Sequence, residues 1–180
     1  MLIASKYEEI WAPEVRDFVY ISDKAYTREQ ILNMEKVMLN TLRFNLTVPT
    51  PFNFLSRFLK AADVSNNKEV CTYATYLVEL SMPEYSMLKY SHSMTAAAAV
   101  YVANKAFQKS QAYPYALRKH SGFDETSIRP CALALTNLHK KAEKNTLVAV
   151  YKKYCNAKYH EVAKVVKPVD LVSDVLDLTE

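Results

Sequence analysis

Apolar residues recur every three or four positions through most of the chain, the signature of amphipathic helices. Residues 1–10 read as the end of a helix carrying Ile3, Tyr7 and Ile10, stopped by a loop around Pro13. Glu14–Ile21 reads as a short helix. Thr27 and Gln30 have capping-box spacing, in which two side chains satisfy each other's otherwise unpaired amides. The helix behind them aligns Ile31, Met34, Met38 and Leu42 and should end near Phe44.

The run Leu46-Thr47-Val48-Pro49-Thr50-Pro51 then predicts a stiff, extended linker, with Thr50 and Pro51 suited to the cap and first position of a new helix. That helix is expected to bury Phe52, Leu55, Phe58, Leu59 and Ala62. After the polar break Ser65-Asn66-Asn67, Val70, Ala74, Leu77 and Val78 mark the next stripe. Met94–Ala106 is apolar nearly all round, which predicts a helix enclosed by others, and its four alanines at 96–99 allow close approach. Pro114–His120 predicts a short helix before Gly122. Asp124 can cap a further helix whose stripe is Cys131, Leu135, Leu138 and Ala142, with Pro130 expected to kink its second turn. Thr146–Tyr154 predicts one more helix, and the tail after Pro168 is expected to be ordered only in part.

A faint repeat runs through these elements. Ala4-Ser5-Lys6 aligns with Ala103-Asn104-Lys105, and the cap at Thr27 aligns with Asp124, giving a period of about 98 residues. Two copies of one helical unit are therefore expected, the second starting near Pro51, with about fifty residues of the first copy lying outside this chain.

Composition narrows the class. A single glycine in 180 residues argues against a protein of hairpins and for helices joined by Pro, Asn, Asp and Ser loops, so the fold class is all-α. Three widely spaced cysteines (Cys71, Cys131, Cys155), with no CxxC and no Cys/His ligand spacing, predict reduced thiols in a nuclear or cytoplasmic protein, no metal and no cofactor. The longest apolar run, Ala96–Ala103, is far short of a membrane span. No HExxH, glycine-rich phosphate loop or nucleophile motif is present, and adjacent Glu8 and Glu9 diverge by about 100° on a helix, so catalysis is not expected. From His139 to Lys167 eight lysines face two glutamates. They recur between apolar positions without arginine, which fits a solvated helix face better than a nucleic-acid surface.

Two polar residues stand where their neighbours are apolar: Lys6 among Ile3, Tyr7 and Ile10, and Glu35 among Ile31, Met34, Met38 and Leu39. By periodicity alone, a salt bridge between two helices accounts for them. The run IASKYEEIWAPEVRDFVYISDKAYTREQILNMEKVMLNTLRFNL also resembles the second half of the first cyclin box of mitotic A- or B-type cyclins, over essentially all of residues 1–48. LVELSMPEYSMLKY, the alanine-rich helix and YKKYCNAKYH resemble the second box.

The resemblance implies a cyclin fold: about three helices of a first box (1–48), a complete five-helix second box (49–160) and a tail (161–180). It implies a regulatory subunit that binds and activates a cyclin-dependent kinase in G2/M control by seating the kinase C-helix. Lys6 and Glu35 match the pair that engages backbone groups near that helix, and Ile3, Tyr7, Leu39, Phe44 and Leu46 match the apolar seat around it. Substrate docking and destruction signals would lie upstream. Two departures, Trp11-Ala12-Pro13 for Tyr-Pro-Pro and His92-Ser93 for Pro-Ser, fall outside this surface. A non-activating fragment, or a nucleic-acid-binding protein with cyclin repeats of the factor-IIB type, are the alternatives. Residues 1–48 are further expected to fold poorly by themselves.

Overall fold

The computed structural model describes residues 1–171; the final part of the expected tail lies outside the described residues. All regular structure among the described residues is helical, and the chain divides into two compact units, Met1–Val48 and the part from Pro49 onward.

The first unit holds α1 (Leu2–Glu8), α2 (Val15–Ile21) and α3 (Arg28–Thr41), with α2 packed against α3. Helix α1 stops at Glu8, so Ile10 lies in the following loop, 92% exposed, and does not extend the stripe of Ile3 and Tyr7. At the start of α2 the Glu14 amide donates to Asp17 Oδ2 at 2.8 Å. The predicted box opens α3: the Thr27 amide donates to Gln30 Oε1 at 2.8 Å, and the Gln30 amide donates to Thr27 Oγ1 at 3.2 Å. These local bonds hold the helices in register, because among the described residues of this unit only Leu2 is fully buried.

The second unit contains α4 (Pro51–Ala61), α5 (Lys68–Ser81), α6 (His92–Ala106), α7 (Tyr115–Ser121), α8 (Glu125–Lys141), α9 (Ala149–Tyr154) and α10 (Val162–Val165). Helix α6 is the axis: α4, α5 and α8 pack on it, and every residue from Thr95 to Asn104 is buried. The alanines at 96–99 are fully buried, which lets neighbouring backbones come close on all sides. Around them Leu55, Phe58, Tyr73, Tyr76, Leu77, Ile128 and Leu135 complete the core. Each of the larger apolar groups contributes about 1.5–3 kcal/mol by leaving water.

Cap chemistry is local and mostly legible. Asn67 Oδ1 accepts from the Val70 amide at 3.1 Å, and Ser91 Oγ accepts from the Met94 amide at 3.2 Å. Gly122 ends α7 at φ +75°, where a side chain would strain the backbone.

Several expectations change. Phe52 is 58% exposed, because Pro51, a full turn before Leu55, takes the inward place on the stripe. Thr50 and Asp124 occupy cap positions without a side-chain cap bond, and the Asp124 carboxylate pairs instead with Arg118. Helix α8 continues through Pro130 as one element, and α9 begins at Ala149, three residues later than expected. Val162, Ala163 and Leu171 join the second unit's core, so its packing continues past residue 160. An apolar anchor every few residues is enough to draw that segment onto the bundle.

The repeat has a structural counterpart. Helices α2 and α7 are both seven residues long, and α3 and α8 start 97 positions apart. In order, α1–α2–α3 correspond to α6–α7–α8.

Candidate partner-binding surface

Helices α1 and α3 bring the two singled-out polar residues together. Lys6 Nζ donates to Glu35 Oε1 at 2.8 Å and to Oε2 at 3.1 Å. The exposures are unequal: the Lys6 side chain is 48% exposed and that of Glu35 14%. The carboxylate is thus enclosed, while the ammonium faces outward with donor capacity left over, since it carries three N–H groups. A pair this open to solvent contributes at most about 1 kcal/mol to stability. Its more distinctive property is orientation, an ammonium held at one place on the surface.

At the next residue of α1, the Tyr7 hydroxyl shares a 2.6 Å hydrogen bond with Thr47 Oγ1. This bond fixes the chain after α3 against α1. Thr47 had no signal in the sequence as a site residue, because a contact across forty positions leaves no local pattern. Ile3, Leu39 and Leu46 are half-buried around these polar groups. Phe44 is 66% exposed and sits in the left-handed region at φ 56°, as does Arg43 before it at φ 50°. The turn is closed by the Phe44 amide donating to the Leu39 carbonyl at 2.9 Å. A bulky aromatic in that conformation is uncommon and costs about 1–2 kcal/mol, held here by the end of α3.

Beside the ion pair, a groove of about 780 Å³ opens between α1, α2 and α3, lined chiefly by Leu2, Ile3, Phe18, Ile31, Met34 and Met38, with Glu35 also in its wall. The arrangement offers no nucleophile–base pair, and among the described residues no group of His, Cys, Asp and Glu could hold a metal ion. It presents a fixed cation, an enclosed carboxylate and apolar surface, which is what a protein interface requires. The surface lysines of the second unit are dispersed; Lys153 is bound to Glu79 at 2.8 Å and Lys140 lies 3.9 Å from Asp170.

Comparison with known proteins agrees with this architecture. The family model described as the cyclin N-terminal domain matches residues 1–47, and that of the cyclin C-terminal domain matches residues 49–168. The G2/mitotic-specific cyclin S13-7 of Glycine max is 45% identical over 174 residues, covering 97% of this chain and 66% of the relative. Cyclin-B1-2 of Arabidopsis thaliana is 44% identical over 177 residues, or 98% of this chain and 39% of the relative. Cyclin-B1-5 of Oryza sativa subsp. japonica is 44% identical over 163 residues, or 91% of this chain and 36% of the relative. The chain therefore spans between about a third and two thirds of the length of these relatives. With both domain models matched in order, their junction falling at the boundary between the two helical units, the chain belongs to the cyclin family.

Proposed function

We propose that this chain acts as a regulatory subunit in cell-cycle control, binding a cyclin-dependent kinase through Lys6, Glu35 and the apolar residues Ile3, Tyr7, Leu39, Phe44 and Leu46. The observation that carries the reading is the asymmetry of the ion pair. Glu35 is enclosed and accepts both bonds from Lys6, whose remaining donor capacity points outward. A kinase helix docked there would offer backbone carbonyls to Lys6 and apolar side chains to the surrounding seat. Holding that helix inward brings the kinase's own glutamate to the lysine that orients ATP phosphates. The cyclin does no chemistry in this scheme. Its contribution is a bias between two kinase conformations, and charge-assisted bonds at an interface are worth about 1.5–3 kcal/mol each when desolvated.

The test is a calorimetric titration of the full chain into an unphosphorylated cell-cycle cyclin-dependent kinase. Saturable binding is expected, weakened at least about tenfold, or about 1.4 kcal/mol, by Lys6→Ala and by Glu35→Ala. Thermal unfolding of the same variants separates the roles. If both lower stability while leaving affinity unchanged, the pair is an internal brace and the kinase surface lies elsewhere. No binding by the folded chain would overturn the reading altogether.

A further inference from the structure

The second unit contains one buried group that the proposed interface does not use. His139, in the last turn of α8, is 5% exposed and bonded through both ring nitrogens. Its Nε2 lies 3.4 Å from the carbonyl oxygen of Ala163 in α10, and its Nδ1 lies 3.0 Å from the Tyr73 hydroxyl in α5. A carbonyl can only accept, so Nε2 carries the proton. Nδ1 is therefore bare and accepts from the Tyr73 hydroxyl. One neutral imidazole, in one tautomer, thus joins three helices.

We propose that His139 is a proton-operated latch that holds the segment from α9 to Leu171 onto α5 and α8 and releases it when the imidazole is charged. A second proton must go on Nδ1, which turns the Tyr73 oxygen into an acceptor and deprives its hydroxyl proton of a partner. The surroundings offer poor compensation. Tyr73 and Tyr76 of α5 meet the imidazole at centroid distances of 5.5 and 5.2 Å, and the Tyr76 hydroxyl is itself buried without a partner.

The charged groups on the packed elements are engaged elsewhere. From α5 and α9, Glu79 takes bonds from Lys153 and the Tyr154 hydroxyl, each at 2.8 Å. On α8 itself Lys140 reaches toward Asp170, and on α10 Lys164 is exposed. Among the described residues no carboxylate is bonded to the His139 ring. Burial holds the His139 pKa below its ordinary value, against a smaller upward effect of the Ala163 carbonyl.

The sign follows. A folded value below the unfolded one of about 6.5 means the closure is complete above that pH and weakens as pH falls through it. The attachments of the released segment include the Glu79–Lys153–Tyr154 cluster, the buried Tyr154 ring 5.1 Å from Tyr76, the Lys140–Asp170 pair, the His139–Ala163 bond, and the apolar contacts of Val162, Ala163 and Leu171.

The experiment is hydrogen exchange of the full chain at pH 7.5 and 5.5, corrected for intrinsic rates and resolved to residues 149–171 and to α6. Exchange in 149–171 is expected to rise about tenfold at the lower pH, the factor for a group that regains its unfolded value on opening, with α6 unchanged. His139→Gln, which keeps a donor and an acceptor but cannot titrate, should abolish the rise. A rise that persists in the variant, or that spreads equally to α6, overturns the proposal. Should the variant not fold, imidazole NMR of the wild-type chain decides. A proton on Nδ1 at neutral pH, or titration of His139 without opening of 149–171, overturns it equally.

Discussion

Helices α1–α3 and α6–α8 are the same sequence of elements in two very different settings. In the second unit α4, α5 and α8 enclose α6 along ten successive residues. In the first, α1 and α3 have no counterparts of α4 and α5 in this chain, and Ile31, Met34, Val37 and Met38 line an open groove. A helix therefore does not become a core element through its own pattern alone. The alanine run of α6 is useful only because neighbours use the space it leaves, and the methionines of α3 are equally apolar yet 57% and 49% exposed.

The contrast can be broken most directly by amide exchange. Amides of α6 should exchange only by global opening of their unit. Those of α1 should exchange about a thousandfold faster or more, the ratio for a stability gap of several kcal/mol. Equally slow exchange in both would show that residues 1–48 are stable without further cover. Core truncation comes next. Leu135→Ala should destabilise the second unit by about 2–5 kcal/mol in denaturant melts. Met34→Ala, on the exposed wall of the groove, should cost about 0.5 kcal/mol or less. Similar losses at both sites would mean that the groove is filled in solution.

At an intermediate scale, Thr27→Ala removes a cap bond in a unit with little packing to compensate. A loss of about 1 kcal/mol, read as helicity lost in residues 28–41, is expected. The smallest effect concerns thiols. Burial pushes the Cys131 thiol up to about 12, and that of Cys71 is also raised. Cys131 should therefore resist a maleimide at pH 8 in the folded chain and react on denaturation. Prompt labelling of Cys131 would show that the α6–α8 packing opens readily.

Much of this fold was legible in the residues. The capping box at Thr27, the enclosure of Met94–Ala106 and the glycine stop after α7 all rest on rules that act within one or two turns. Lys6 and Glu35 stood out because a charge in an apolar stripe is a local anomaly, and the structure joins them. What escaped was in part long-range. The exposure of Phe52 and the Asp124–Arg118 pair turn on near neighbours competing for one place, whereas the Tyr7–Thr47 bond and the inward turn of Val162 and Leu171 each depend on a neighbour far away in sequence. His139 was invisible for the same reason. A histidine followed by two lysines at a helix end reads as solvated, and only the fold shows Tyr73 and Ala163 on either side.

The scarcity of glycine carries a consequence for how this chain could change. Among the described residues eight non-glycine residues have positive φ, six of them as adjacent pairs: Asp23–Lys24, Arg43–Phe44 and His160–Glu161. The turns at these positions are thus made by residues ill-suited to them, and each such residue retains about 1–2 kcal/mol of local strain. These positions are latent reserves of robustness. Lys24→Gly or Gln108→Gly would relieve that strain at a smaller cost, the extra conformational entropy that glycine gives the unfolded chain. Such a lineage could then absorb a damaging substitution in its groove or core and still fold.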